Sequence, residues 1–297
     1  MKCIFLVLMS FFCGICHAQN SSAIIDSLWK NSPSNDVVIF VNGFWGTQKY
    51  SPATCNKSAY WQLDSVHFKP KTKWNYNQFQ SLLFFNEVFD YFKTKKIYFI
   101  DGGNFSPITN AQTRQRKGRK FAEKHLDSLI KRFDLDKNSK VHFITHSMGG
   151  AYAEGMITCF LKEKKLKIGQ IIHLSTSEAG SIKIFSNEFG PEKRIQIISS
   201  GDKVVEQINR YHRFKKDNVA IPIAGCDYFA CFYENEITRP QAGDIGHALH
   251  LRKFAFDVIR DLENLDVLYE NEKNIIKNNS NYVPYRKVQK NGCVVED

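Results

Sequence analysis

Short apolar runs alternate along this chain with longer segments in which apolar residues recur every third or fourth position. Val37–Val41, Ile97–Ile100, Val141–Ile144, Ile168–Leu174 and Ile195–Ser199 are near-continuous apolar or β-branched runs. Such runs read as strands buried on both faces. Val219–Ile223 reads as the last strand of the same kind. Between the runs, Phe79–Phe92, Gln112–Phe133 and Ala151–Leu161 read as helices; the second carries Ala122, Leu126, Leu129, Ile130 and Phe133 on one stripe. A further helix is expected from His247 to Leu268, with Ala255, Val258, Ile259, Leu262 and Leu265 facing inward. Strands alternating with helices predict an α/β fold: a doubly wound, mostly parallel sheet with helices on both faces. Sites in such folds lie at the carboxyl ends of the strands.

The stretches outside this alternation set the domain plan. Residues 50–74 form an irregular, aromatic-rich insertion with Tyr60, Trp61, Phe68 and Trp74; Tyr76, Phe79, Phe84 and Phe85 follow it. These aromatics read first as core, and some as the lining of a pocket. Lys2 followed by the apolar stretch Cys3–Phe12 and then Cys16-His17-Ala18 has the form of a secretory signal, with cleavage expected before Gln19. Lipid attachment at Cys13 or Cys16 is the alternative, and the residues preceding each cysteine fit it poorly. The plan is therefore a signal peptide at 1–18, one domain at 19–270 and a polar tail at 271–297 rich in Asn and Lys.

Charge and cysteines narrow the compartment and the partners. The 297 residues carry a formal net charge of +11. Basic runs at Lys69–Lys73, Lys93–Lys96, Arg114–Lys120 and Lys162–Lys167 read as solvated helix ends and loops, with peripheral contact to an anionic membrane as the sharper reading. A secretion signal and the lack of any recognisable nucleic-acid motif argue against a nucleic-acid partner. Of the eight cysteines, Cys3, Cys13 and Cys16 leave with the signal. Cys226 and Cys231 are close enough in sequence for a loop-closing disulfide in a secreted protein, whereas Cys159 reads as a buried thiol. No His/Cys spacing matches a zinc site, so no metal is expected.

The chemistry concentrates in Thr145-His146-Ser147-Met148-Gly149-Gly150, between the run at Val141–Ile144 and the helix at Ala151–Leu161. A serine on a sharp strand-to-helix turn needs small neighbours two positions away, and Gly149 meets that demand. Thr145 does not; it stands where glycine is usual. On this motif the chain resembles α/β-hydrolase-fold lipases and esterases, particularly small bacterial lipases with the elbow A-H-S-M-G-G. The resemblance covers roughly Val37 to Leu265.

That resemblance implies an α/β-hydrolase fold and a triad in the order Ser, acid, His. Ser147 is the nucleophile. Asp202, just after the run Ile195–Ser199, is the acid, with Glu178 and Asp227 in reserve. His247, ahead of the C-terminal helix, is the base in preference to His250; His146 supports the site and His142 is structural. The oxyanion donors are the backbone N–H groups of Met148 and of Phe44, within Asn42-Gly43-Phe44 after the first strand. Asn42 replaces the family's usual histidine; Gly43 lets the backbone approach the substrate.

The expectation is a secreted or periplasmic serine hydrolase that cleaves carboxylic esters, lipid-like acyl esters above all, through an acyl-enzyme and without a cofactor. A thioesterase, amidase or acyltransferase would use the same triad. Thr145 and Asn42 also suit a non-catalytic binding protein of the same fold. Oligomeric state is left open.

Overall fold

A computed structural model of the chain describes residues 26–43, 61, 75–102, 109–163, 165–185, 190–199, 202, 205, 223–232, 247, 255–260, 262, 288–289 and 292–293. The expected signal segment, Phe44, His250 and most of the aromatic insertion and polar tail lie outside the described residues.

The chain runs β1 (Val37–Asn42), α1 (Asn75–Phe92), β2 (Ile97–Asp101), α2 (Ala111–Phe133), β3 (Lys140–His146), α3 (Gly149–Glu163), β4 (Lys167–Leu174), β5 (Lys193–Ser199) and β6 (Tyr228–Phe232). These six strands form one sheet in the order β2-β1-β3-β4-β5-β6, and every pairing is parallel. The fold is thus α/β, with a single six-stranded parallel sheet between helices. A separate antiparallel pair joins β7 (Val288–Gln289) to β8 (Gly292–Cys293). Among the described residues, no helix is long and apolar enough to cross a membrane.

Alternation along β1 shows why the runs are apolar throughout. Val38 and Phe40 enter one core with Phe84, Phe85, Val88 and, from residues 255–262, Phe256 and Ile259. Val37, Ile39 and Val41 enter the other with Ala122, Leu126 and Phe133 of α2 and Met156 and Phe160 of α3. A strand covered on both sides has no polar face to show. Of the aromatics read from the insertion and its flank, Trp61, Phe84 and Phe85 are buried in the first core; Trp61 packs edge-on to Phe40 at 4.9 Å. The second core permits a close helix crossing: a Cβ at Gly155 would fall 1.9 Å from the Gln115 carbonyl oxygen, and one at Gly118 2.0 Å from that of Tyr152. Two backbones meet there, and only glycine fits on either side.

The strand order also locates the crevice. From β1 the chain steps outward to β2, then crosses back over β1 to β3 and continues through β4, β5 and β6. The direction of winding therefore reverses between β1 and β3. At such a switch point the loops diverge to opposite faces and leave room for a ligand.

Of the expected strand Val219–Ile223, residues 219–222 lie outside the described residues; Ile223 precedes a turn, and the last described strand of the sheet is Tyr228–Phe232. The Ile223 N–H donates to Gln196 Oε1 at 2.6 Å, the Cys226 N–H closes the turn on the Ile223 carbonyl at 3.1 Å, and Gly225 takes φ 89°. Cys226, for which the sequence left a disulfide to Cys231 open, is a free, buried thiol. Cys231 lies in the extended β6, paired with Ile198. Cys159 is a free buried thiol, as its place on α3 suggested.

Candidate active site

Ser147 follows β3 directly and sits at φ 54°, in the left-handed region that a residue with a Cβ seldom occupies. Such a conformation costs about 1–3 kcal/mol and persists only where the surroundings dictate it. Here they do. The Ser147 N–H is held by the Leu174 carbonyl of β4 at 3.0 Å, and the Gly150 N–H by the Ser147 carbonyl at 3.3 Å. Met148 completes the turn, buried, and α3 starts at Gly149. A Cβ at Gly149 would lie 2.4 Å from the Val41 carbonyl oxygen, so the small residue lets the helix start against the end of β1.

On the other side of the switch point, β1 ends in Asn42 and Gly43. Gly43 lies against the serine: a Cβ there would be 2.6 Å from Ser147 Cβ and 3.1 Å from its Oγ. Asn42 is buried, and its Nδ2 donates to the Gly43 carbonyl and to Asp101 Oδ1, each at 3.1 Å. Both partners are acceptors, which assigns the amide nitrogen. Asn42 thus braces the loop from β2. Burial, together with the nearby charge of Asp101, pushes the Tyr152 phenol on α3 up to about 12.

Asp202 and His247 meet although β6 lies between them in sequence. His247 Nδ1 is 3.0 Å from both carboxylate oxygens. Asp202 is buried and also accepts the Val205 N–H at 3.0 Å, which anchors the carboxylate before the imidazole reaches it. A proton on Nδ1 facing a carboxylate leaves Nε2 as the ring's acceptor. His146 joins this pair to the serine turn: its Nε2 donates to the His247 carbonyl at 2.7 Å, and the two rings lie 4.6 Å apart. Trp61 packs edge-on to His146 at 6.4 Å.

Ser147, Gly43, Asn42, Met148, Gly149, His146, His247 and Asp202 are therefore brought to one end of the sheet, while Phe44 lies outside the described residues. The reserve acids are occupied elsewhere. Glu178 is buried, pairs with Arg114 and accepts the Ala111 N–H at the start of α2 at 3.2 Å. Asp227 accepts the Arg194 N–H at 2.7 Å where β5 and β6 begin to pair. His142 is structural: its Nδ1 accepts the Gln170 N–H at 3.0 Å, and its ring lies 4.6 Å from that of Phe92. Among the described residues, no three His, Cys, Asp or Glu side chains cluster to hold a metal ion. Comparison with known proteins adds no relative: the chain matches no family model and no curated sequence.

Sequence reasoning missed one group of polar residues beneath this site. Glu154, His173 and Arg194 are buried together under the serine turn. Their one sequence signal is a carboxylate, Glu154, between Ala153 and Gly155 in a helix that is apolar nearly all round. A buried acid of that kind demands a partner.

Proposed function

We propose that this protein is a serine hydrolase of the α/β-hydrolase type, secreted or periplasmic, that cleaves carboxylic esters through an acyl-enzyme. One observation carries the reading: a serine in left-handed backbone geometry at the end of β3 follows His146, whose ring lies 4.6 Å from that of His247, and the His247 Nδ1 is held by a buried aspartate. An ordinary strand-to-helix junction needs neither the strain nor the pair. The all-parallel sheet with the serine strand near its centre, and the winding reversal beside it, are what such a fold requires at this place.

In this mechanism Ser147 Oγ attacks the ester carbonyl while His247 Nε2 takes its proton. Asp202 keeps the imidazole in the required tautomer and stabilises the cation that forms. The Met148 N–H, at the positive end of α3, and the Phe44 N–H bind the oxyanion. Collapse of the tetrahedral species passes the proton from His247 to the leaving alcohol and leaves an acyl-Ser147 ester. Water, activated by the same imidazole, then releases the acid. The aromatic content and the elbow sequence favour a lipid-like acyl group, and the basic surface favours approach to an anionic membrane.

The test is hydrolysis of p-nitrophenyl esters of two to sixteen carbons by the mature protein and by Ser147→Ala, with fluorophosphonate labelling in parallel. Turnover in the wild type and a loss on the order of 10⁶-fold in the variant are expected. No turnover and no labelling of Ser147 would remove the hydrolase reading in favour of a binding protein of this fold.

A further inference from the structure

Thr145 stands two residues before the serine, where the turn normally takes glycine, and its hydroxyl is not idle. It lies 2.8 Å from His173 Nδ1, on the neighbouring strand at the register position opposite Thr145. His173 Nε2 is 3.1 Å from Glu154 Oε1 on α3. Arg194 of β5 reaches the same carboxylate, Nε to Oε1 at 3.1 Å and Nη2 to Oε2 at 3.4 Å, and donates from Nη2 to the Phe185 carbonyl at 2.9 Å. Thr145, His173 and Glu154 are fully buried, and Arg194 almost so. One continuous chain of hydrogen bonds thus crosses β3, β4, α3 and β5, the elements that frame the serine turn.

The donors and acceptors on this chain follow from its ends. Arg194 compensates the charge of Glu154, so a neutral imidazole leaves the buried set without net charge. Nε2–H of His173 then donates to Glu154, and Nδ1 accepts from the Thr145 hydroxyl. The ring also sits under the first turn of α3, where a Cβ at Gly150 would be 3.3 Å from Nδ1. It therefore touches the strand that delivers Ser147 and lies under the helix that leaves it.

We propose that the buried chain Thr145–His173–Glu154–Arg194 is a positioning device that holds Ser147 in its strained geometry, Thr145 being the positioning residue that acts on the nucleophile. The serine's role rests on the hydrolase reading above; the mechanical role does not. A strained φ needs surroundings that dictate it, and a fully satisfied buried network specifies one arrangement of the elements it joins. A hydroxyl two residues from the serine, tied to the centre of the sheet, does this where glycine would leave the strand end free.

The experiment compares the mature wild type with Thr145→Val, which keeps the shape and removes the hydroxyl, and Thr145→Ser, which keeps the hydroxyl. Two quantities are read: the second-order rate of fluorophosphonate labelling of Ser147, and native-state exchange of the Ser147 amide, with the Val38 amide as control. The valine variant is expected to label at least about tenfold more slowly, because small misplacements of a nucleophile cost about that much or more. Its Ser147 amide should exchange at least about tenfold faster while Val38 is unchanged, as local opening would give; the serine variant should restore both to within about threefold. Unchanged Ser147 exchange in the valine variant overturns the proposal. If the wild type itself does not label, the hydrolase reading alone falls, and the exchange result decides the positioning role. Ring ¹⁵N spectra of the wild type test the chain even if the valine variant does not fold: His173 must carry its proton on Nε2, and the opposite tautomer overturns the proposal.

Discussion

Gly43 and Ser147 are in backbone-to-side-chain contact across the winding reversal, so close that a Cβ on Gly43 would sit 2.6 Å from the serine Cβ. The end of β1 and the turn after β3 therefore share one space. Gly43→Ala should crowd Oγ and displace the loop that follows. We expect ester turnover and fluorophosphonate labelling to fall by about 10²-fold, with far-ultraviolet circular dichroism unchanged. An alanine variant that labels at the wild-type rate would show that the loop is not part of the site.

The bond from His247 Nδ1 to Asp202 predicts a graded response to changes in the acid. Asp202→Asn keeps the size but favours the wrong imidazole tautomer, and kcat should drop by about 10⁴-fold with KM little altered. Glu178→Gln, by contrast, alters an acid tied to Arg114 and α2. It should lower stability while kcat measured on the folded fraction stays within about threefold of wild type. Steady-state kinetics beside urea denaturation separate the two outcomes.

The crossing of α2 and α3 is a stability feature remote from the chemistry. At Gly155 an added methyl would meet the Gln115 carbonyl oxygen at 1.9 Å, a backbone atom that cannot rotate away. Gly155→Ala should lower the unfolding free energy by about 2–3 kcal/mol, read from the urea midpoint at constant m-value. Gly→Ala in an unobstructed helix would instead stabilise by about 1 kcal/mol, so the sign of the change is diagnostic.

Glu154 makes acid stability testable. Burial opposes its charge, but the His173 hydrogen bond and the Arg194 guanidinium outweigh that penalty and hold its carboxyl below the ordinary value of 4.5. A carboxyl depressed in the fold contributes stability above its unfolded value, and that stability is lost as pH falls through the folded one. Glu154→Gln should therefore be less stable than wild type at pH 7, by about 3–5 kcal/mol, since Arg194 is left without its anion. The gap should narrow once pH drops below 4.5, the unfolded carboxyl value. A gap independent of pH, followed by denaturant titration from pH 7 to 2.5, would show that Glu154 does not titrate with unfolding.

Local chemistry was enough for much of this. Five of the six strands of the main sheet announce themselves as apolar runs, and the three long helices as three- and four-residue spacings, because burial on two faces or along one stripe is written into neighbouring positions. The serine turn is legible for the same reason: its small residues and its serine are adjacent. The expectation that Asp202 would hold His247 came instead from the resemblance to the hydrolase fold, which sets the order of acid and histidine along the chain.

What the sequence could not show depends on residues brought together from far apart. Ile223 has a strand former's side chain, but a glutamine on β5 captures its N–H and the chain turns before β6. Glu178 had the right place for a reserve acid until Arg114 and the start of α2 claimed its carboxylate. Cys226 and Cys231 are close in number, yet Cys226 is a free, buried thiol in the turn before the strand that carries Cys231. Thr145 read as a flaw in the motif, and only the packing of β3, β4, α3 and β5 gives its hydroxyl a partner. Periodicity and turn chemistry are properties of consecutive residues, and the sequence determines them alone. Which buried polar group meets which is settled by the register of strands and the crossing of helices, and that belongs to the tertiary structure.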